Sequence, residues 1–231
     1  MSKLIFIPIG STEQHGAHLP PDTDYLIAER LVDAIATHFE GIELEGIKIG
    51  ISPEHEGFPL TKSVTKEEFM TQIEEIFKKH SNKFKFVFIN AHGGNIETLN
   101  LIQKMYKDDL LVLNTFSLVK EELIKYRSSR LGGICHAGEF ETSLMLYLFP
   151  DKVRLNELKK EDVKYIPPLD PNYEYGRIKK WKTINFSESG IIGDPFHANS
   201  EKGKIWFKSL VENMKISINS FISKVSTIKI Y

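Results

Sequence analysis

Two runs of apolar residues limit the folds open to this chain. Residues 4–9 (LIFIPI) are apolar without alternation, and residues 84–89 (FKFVFI) nearly so. A strand that is apolar on both sides is covered on both faces, as in a parallel sheet packed between helices. Each run empties into a polar, glycine-bearing loop and then into a helical pattern. After the first, Ile27, Leu31, Ala34 and Ile35 recur with helical period from residue 23 to about 39, with Asp22 or Thr23 available as N-cap. After the second, Leu99, Ile102 and Tyr106 do the same, with Asn95 available as cap. Further strands are expected at 47–51 and 110–113, and an amphipathic helix at 65–80 with Phe69, Ile73, Ile76 and Phe77 on one face. A long helix follows from 199 to about 225, striped by Trp206, Leu210, Met214, Ile218, Phe221 and Ile222. Strands alternating with helices of this length predict an α/β chain of βαβ units with a parallel sheet. No low-complexity linker divides the 231 residues, so one domain over 1–231 is expected.

In such sheets ligands gather beyond the C-terminal ends of the strands, where the polar loops lie. The first loop, residues 10–24 (GSTEQHGAHLPPDTD), cannot be helical throughout because Gly16, Pro20 and Pro21 interrupt it. Glu13 and His15 are one residue apart, so in an extended segment both project from the same side, which is a metal-ligand spacing. Asp24 follows where the helical pattern starts and can fold back toward them. The second loop, residues 90–95 (NAHGGN), sets His92 at a strand end beside two glycines. A third segment, 132–143 (GGICHAGEFETS), carries His136, Glu139 and Glu141. For a helix beginning near His136, Glu139 lies on its face at i+3 and Glu141 does not. Glu139 is therefore expected as a ligand, and Glu141 as a cap or orienting group. His55 and Glu56, on the proline- and glycine-punctuated segment 52–60, read as solvated loop residues.

Glu13, His15, Asp24, His92 and Glu139 are oxygen and imidazole donors of the kind that suits Zn²⁺, Mn²⁺ or Fe²⁺. Their carboxylates carry more negative charge than one divalent ion needs, so two divalent metal ions are expected, with Asp24 between them. Such a pair lowers the pKa of water and polarises a carbonyl, which points to hydrolysis of an amide-like C–N bond. His136 is the expected acid for the leaving nitrogen, with Glu139 beside it. Regular patterning fades between residues 150 and 195, and 165–181 holds three tyrosines, three prolines and a tryptophan. A stretch of that length reads as a functional loop. Tyr175 and Trp181 from it, with His18 and Asn95, are the expected substrate contacts.

The composition removes several other classes. Basic and acidic residues number 30 and 31, for a formal charge of −1, so no net field favours nucleic acid or an anionic membrane. Cys135 is the sole cysteine, which excludes an internal disulfide and a thiolate-rich zinc site and fits a reducing, cytoplasmic setting. No stretch approaches the ~20 apolar residues of a membrane span. A G-x-S-x-G elbow, an H-E-x-x-H motif, a P-loop and a G-x-G-x-x-G turn are all missing from the sequence.

Taken together, the motifs resemble the creatininase (creatinine amidohydrolase) family, whose members carry a G-S-x-E-Q-H-G-x-H-L-P-x-x-T-D loop, an N-x-H-G-G-N turn and an H-A-G-x-x-E-T segment. These stand here at 10–24, 90–95 and 136–142, and Gly190 to Pro195 with Ala198 and Glu201 to Gly203 is similar to the family as well. The resemblance implies a three-layer α/β/α fold, a binuclear metal centre and a homo-oligomer, commonly a hexamer. It puts Glu13 and His92 on one metal, His15 on the other and Asp24 between them. It implies a small-molecule substrate, a creatinine-like cyclic amide or a formamide. The alternatives it carries are a formylamino-pyrimidine deformylase of flavin or deazaflavin precursor synthesis, a mycofactocin-type peptidase, and a non-catalytic binding or assembly protein on the same scaffold. Creatininase itself has a metal-binding glutamate two residues after the histidine of the second motif, where this chain has Gly94. Glu139 is expected to supply that carboxylate.

Overall fold

The computed structural model describes residues 3–80, 84–170 and 181–228, with side chains to residue 223. Tyr175 lies outside the described residues. The elements run β1 (Lys3–Ile9), α1 (Thr23–Phe39), β2 (Ile42–Glu43), α2 (Lys66–Lys79), β3 (Phe84–Asn90), α3 (Ile96–Met105), β4 (Leu110–Asn114), α4 (Thr115–Leu118), α5 (Lys120–Tyr126), α6 (Glu139–Leu148) and α7 (Ser200–Ile228). The four strands are parallel, in the order β2-β1-β3-β4. Alternate strand residues enter two cores, as the unbroken apolar runs require. Leu4, Phe6, Val87 and Ile89 pack with Leu31 and Ile35 of α1, Leu144 of α6, and Trp206, Leu210 and Met214 of α7. On the other face, Ile5, Ile7, Phe86, Phe88 and Leu110 pack with Phe69 and Ile73 of α2 and Leu99 and Ile102 of α3. The result is a helix–sheet–helix sandwich.

Ile9, Asn90 and Asn114 are in register across β1, β3 and β4, so the loops after β1 and β3 leave the sheet side by side. Asn95 keeps them together. Its amide nitrogen donates to Gly10 O at 3.0 Å and its oxygen accepts from Ile51 N at 3.0 Å. With both ends of the amide so engaged, the buried Asn95 side chain ties loops together and does not cap α3.

The expected strand at 47–51 is not formed. The edge strand is Ile42–Glu43, and Ile47 makes one isolated bridge to Ile9. Pro8 has no N–H to give between Leu44 and Ile47, so the ladder is interrupted there; it resumes for one bridge, with Ile47 N donating to Pro8 O and Gly10 N to Ile47 O, both at 3.0 Å, and stops where β1 ends at Ile9. Helices α4 and α5 were not expected, and α6 starts three residues later than expected. The 150–195 stretch contains short 3₁₀ turns, among them Pro150–Lys152, Leu155–Glu157 and Thr183–Asn185. No helix among the described residues is long and apolar enough to cross a membrane.

Packing of α7 on α6 brings backbone against backbone. A Cβ at Gly203 would overlap the Ser143 carbonyl oxygen, while Ser143 Oγ accepts from Asn199 N at 3.1 Å and the Phe140 and Trp206 rings lie 5.5 Å apart. A Gly→Ala change inside a helix ordinarily gains up to about 1 kcal/mol. Here overpacking wins, and Gly203→Ala is expected to lower stability by roughly 1–3 kcal/mol. A urea midpoint that stays put or rises would show that α6 and α7 separate without cost.

Candidate metal centre

Loops after β1 and β3 and the start of α6 bring their polar residues to one end of the sheet. Glu13, His15, Asp24 and His92 are all buried. Asp24, in the first turn of α1, uses its two oxygens in different directions: Oδ1 is 3.1 Å from His15 Nε2 and Oδ2 is 3.0 Å from His92 Nδ1. Glu13 Oε2 lies 3.4 Å from the same His92 Nδ1.

The tautomers follow from partners that can only accept. His15 Nδ1 is 3.0 Å from Glu13 O, His92 Nε2 is 3.0 Å from Ile51 O, and His136 Nε2 is 2.7 Å from Gln14 O. Each of these nitrogens therefore carries a hydrogen, and in the neutral ring the opposite nitrogen turns a lone pair toward a carboxylate. Lone pairs facing carboxylate oxygens at these distances repel unless a cation lies between them. Glu13 Oε2 and Asp24 Oδ2 are moreover buried without a hydrogen-bond partner. Orphaned carboxylate oxygens facing imidazole lone pairs are the donor set that a divalent ion completes, so these residues fit the metal that the sequence implies.

The ionisation states reflect the same crowding. Burial pushes the His15 imidazolium down, but Asp24, then Glu141 and Glu13, outweigh it and raise its pKa to about 9. His92 is likewise lowered by burial and raised well above the usual range by Glu13 and Asp24. Burial works to raise Glu13, yet His92, His55 and His136 hold it well below the ordinary carboxylate value. An ion at His15 Nε2 must displace the proton shared with Asp24. Metal binding is thus expected to release protons at neutral pH, and apparent affinity to climb with pH up to about 9 and then level. Titration calorimetry in buffers of different ionisation enthalpy reads this directly; a heat independent of buffer would remove His15 from the ligands.

Glu139 does not join the cluster. Its carboxylate is buried, accepts from Ser128 N at 2.8 Å and Ser129 N at 2.9 Å, and pairs with Lys202 of α7. Glu141 approaches instead, with Oε2 3.9 Å from His15 Nε2 and 2.6 Å from Ala137 N. The reason is local: Ala137 has φ 53°, so the chain turns between His136 and α6, and the helical spacing from His136 that favoured Glu139 does not apply. Burial raises Glu141 to about 8, aided by the nearby Asp24 and Glu13 and opposed by His15. His136 bridges the groups, its Nδ1 3.4 Å from Glu13 Oε1. Burial, then His55 and His15, hold its pKa well below the usual imidazole range.

His55 is buried rather than solvated, its Nε2 3.4 Å from Glu13 Oε1. Ser52-Pro53 is a helix-start signal, and it sets the 3₁₀ turn Pro53–His55 that turns this ring inward. Trp181 meets His55 edge-on at 5.9 Å. His18 is fully buried, its Nε2 2.9 Å from Thr142 Oγ1. A Cβ at Gly94 would overlap Ile51 O and stand 2.6 Å from His92 Nε2, so no side chain fits there; the carboxylate that approaches this point is Glu54, Oε1 at 3.2 Å. Among the described residues, three groups of donors lie close enough to share an ion: Glu13, Asp24 and His92; His15, His136 and Glu141; and Glu13, His55 and His136.

The profile of the family described as Creatinine amidohydrolase matches residues 1–217. The chain belongs to the creatininase family. Its creatininase-family relatives include the mycofactocin precursor peptide peptidase of Mycolicibacterium smegmatis, 30% identical over 91% of this chain and 82% of the relative. The 3-dehydro-scyllo-inosose hydrolase of Thermotoga maritima is 30% identical over 96% and 78%, and the creatinine amidohydrolase of Pseudomonas putida 24% over 93% and 88%. A creatininase-family hydrolase is what these matches establish. The crystal structure of a creatininase shares the fold at TM-score 0.78 and 23% identity, covering 95% of this chain and 90% of that one. A manganese creatininase does so at 0.77 and 23%, covering 95% and 91%.

Proposed function

We propose that this chain is a two-metal hydrolase of amide-like C–N bonds. The observation that carries this is the shared carboxylate of Asp24, one oxygen toward His15 Nε2 and the other toward His92 Nδ1. Glu13, Asp24 and His92 would hold one ion, and His15, Asp24 and Glu141 the other. When bound, a pair of Zn²⁺, Mn²⁺ or Fe²⁺ supplies a lowered pKa for water and an electrophile for the carbonyl. His136 moves the proton. Its Nε2–H is anchored on Gln14 O, and burial keeps the ring neutral, so Nδ1 is open to take a proton from the attacking water and return it to the leaving nitrogen. Trp181, against the outer edge of His55, is the substrate contact that this reading retains.

The substrate class proposed is a small amide, a creatinine-like cyclic amide or a formamide. A second reading is favoured by the 30% identity to a mycofactocin precursor peptide peptidase, above the 24% to a creatinine amidohydrolase, and by Gly94, where no side chain fits. On that reading the bond cut lies near the end of a short peptide. The protein is also proposed to work as a cytoplasmic homo-oligomer, which sedimentation would test. The deciding experiment is metal analysis before and after chelation, then a screen of creatinine, N-formyl aminopyrimidines and short peptides with metal restored. Two ions per chain and metal-dependent turnover of one class are expected. One ion or none, without turnover, would overturn the reading in favour of a binding or assembly protein.

A further inference from the structure

The third donor group, Glu13, His55 and His136, is close enough for an ion, yet the hydrogen bonds of Gln14 argue that it holds none. Gln14 Oε1 accepts from Gly16 N at 3.1 Å. A backbone N–H can only donate, so the amide cannot be turned over, and its nitrogen is the end that faces His55, His136 and Gly190. Three positions surround that nitrogen: Gly190 O at 2.9 Å, His55 Nδ1 at 2.8 Å and His136 Nε2 at 2.9 Å. The amide has two hydrogens. His136 Nε2 already carries its own, because Gln14 O at 2.7 Å can only accept. Both amide hydrogens therefore go to Gly190 O and His55 Nδ1.

His55 Nδ1 is then an acceptor, and Thr183 Oγ1, 3.1 Å away, can give it a second hydrogen bond. A neutral ring whose Nδ1 accepts has its hydrogen on Nε2, the atom that faces Glu13 Oε1 at 3.4 Å. A ring whose Nδ1 accepts carries only the one hydrogen and is neutral. His55 thus differs from His15, His92 and His136, whose fixed hydrogens face backbone carbonyls and whose opposite nitrogens are left for an ion.

We propose that Gln14 is a positioning residue that fixes His55 as the Nε2–H tautomer, so that His55 donates to the Glu13 carboxylate instead of binding an ion. The inference rests on the two-ion reading above and limits the cluster to those two ions. Holding Glu13 Oε1 on His55 leaves Oε2, the orphaned oxygen, for the ion shared with Asp24 and His92.

NMR of protein carrying isotope-labelled histidine tests it, first metal-free and then loaded with NMR-active cadmium. His55 is expected to show a protonated Nε2 in both states and no coupling to cadmium, with two cadmium ions per chain. Gln14→Leu is expected to mix the His55 tautomers and to lower kcat roughly 10–100-fold with metal restored. His55→Gln, which keeps an N–H donor near the Nε2 position, should retain most of the kcat that His55→Leu loses. A protonated Nδ1 on His55, coupling of His55 to cadmium, or a third ion per chain would overturn the inference. The wild-type spectra decide the point even where Gln14→Leu does not fold. Two ions and turnover with the wrong His55 tautomer would sink this inference alone, whereas no ions and no turnover with Nε2–H in place would sink the hydrolase reading and uphold the role of Gln14.

Discussion

Replacing Asp24 with Asn is expected to empty both ion seats together and to lower kcat/KM by roughly a thousandfold or more. The estimate follows from the several kcal/mol of transition-state stabilisation that metal ions supply, at about 1.4 kcal/mol per tenfold. Asp24 is the residue whose two oxygens reach both His15 and His92, so no other single change removes a partner from each. The variant should still fold, because an amide of the same size keeps the packing, and with the carboxylate charge gone the imidazoles can turn neutral and accept a hydrogen bond from the amide. Its own signature is electrostatic. Asp24 is the main influence raising His15 to about 9, so the His15 pKa should fall in Asp24→Asn. Metal content, kcat/KM and a histidine NMR titration measure the three effects. Retention of two ions, with activity within tenfold of the parent, would show that Asp24 does not join the seats.

Much of the architecture was legible because burial on both faces leaves an unbroken apolar run and burial on one face leaves a helical period. That is why β1, β3, β4, α1, α2, α3 and α7 lie within a few residues of expectation. Pro8 shows where such reading stops. It is apolar and sits well in β1, but its missing N–H interrupts the ladder to the edge between Leu44 and Ile47, an effect on a neighbour that hydropathy does not register. Glu13, His15, Asp24 and His92 were legible for a different reason: they flank strand ends, where a parallel sheet gathers its loops, and the register of Ile9 with Asn90 brings them together. Spacing arguments failed where the backbone was not what they presupposed. Counting from His136 along a helix selects Glu139, but Ala137 in the left-handed region starts the helix afresh and selects Glu141. His55 was missed because its burial depends on Gln14 and Thr183, which are distant in sequence.

Glu139 and Glu141, two residues apart, should therefore respond in opposite ways to the same substitution. Glu141→Gln is expected to lose an ion and most activity while the metal-free protein keeps or gains stability. Glu139→Gln is expected to keep its metal and lose stability, because Lys202 would be left on α7 without its charge partner. Removing one member of a buried ion pair costs about 3–5 kcal/mol, and Lys202→Met should cost a similar amount. Changing both residues together should recover part of the loss, since no uncompensated charge then remains. The pH dependence separates the two further. Burial works to raise Glu139, but Lys202 and the Ser128 and Ser129 N–H groups hold it low. Its contribution is then present above the unfolded carboxylate value of about 4.3 and is lost as pH falls through the lower folded value. Glu141 is raised to about 8, so in the metal-free protein its contribution is full below about 4.3 and is lost as pH rises toward 8. Glu139→Gln should thus flatten the acid side of the stability profile, and Glu141→Gln the neutral side. Urea midpoints between pH 3 and pH 9, roughly the span of the two windows, read both slopes. Loss of an ion from Glu139→Gln at unchanged stability would reverse the assignment and return Glu139 to the metal.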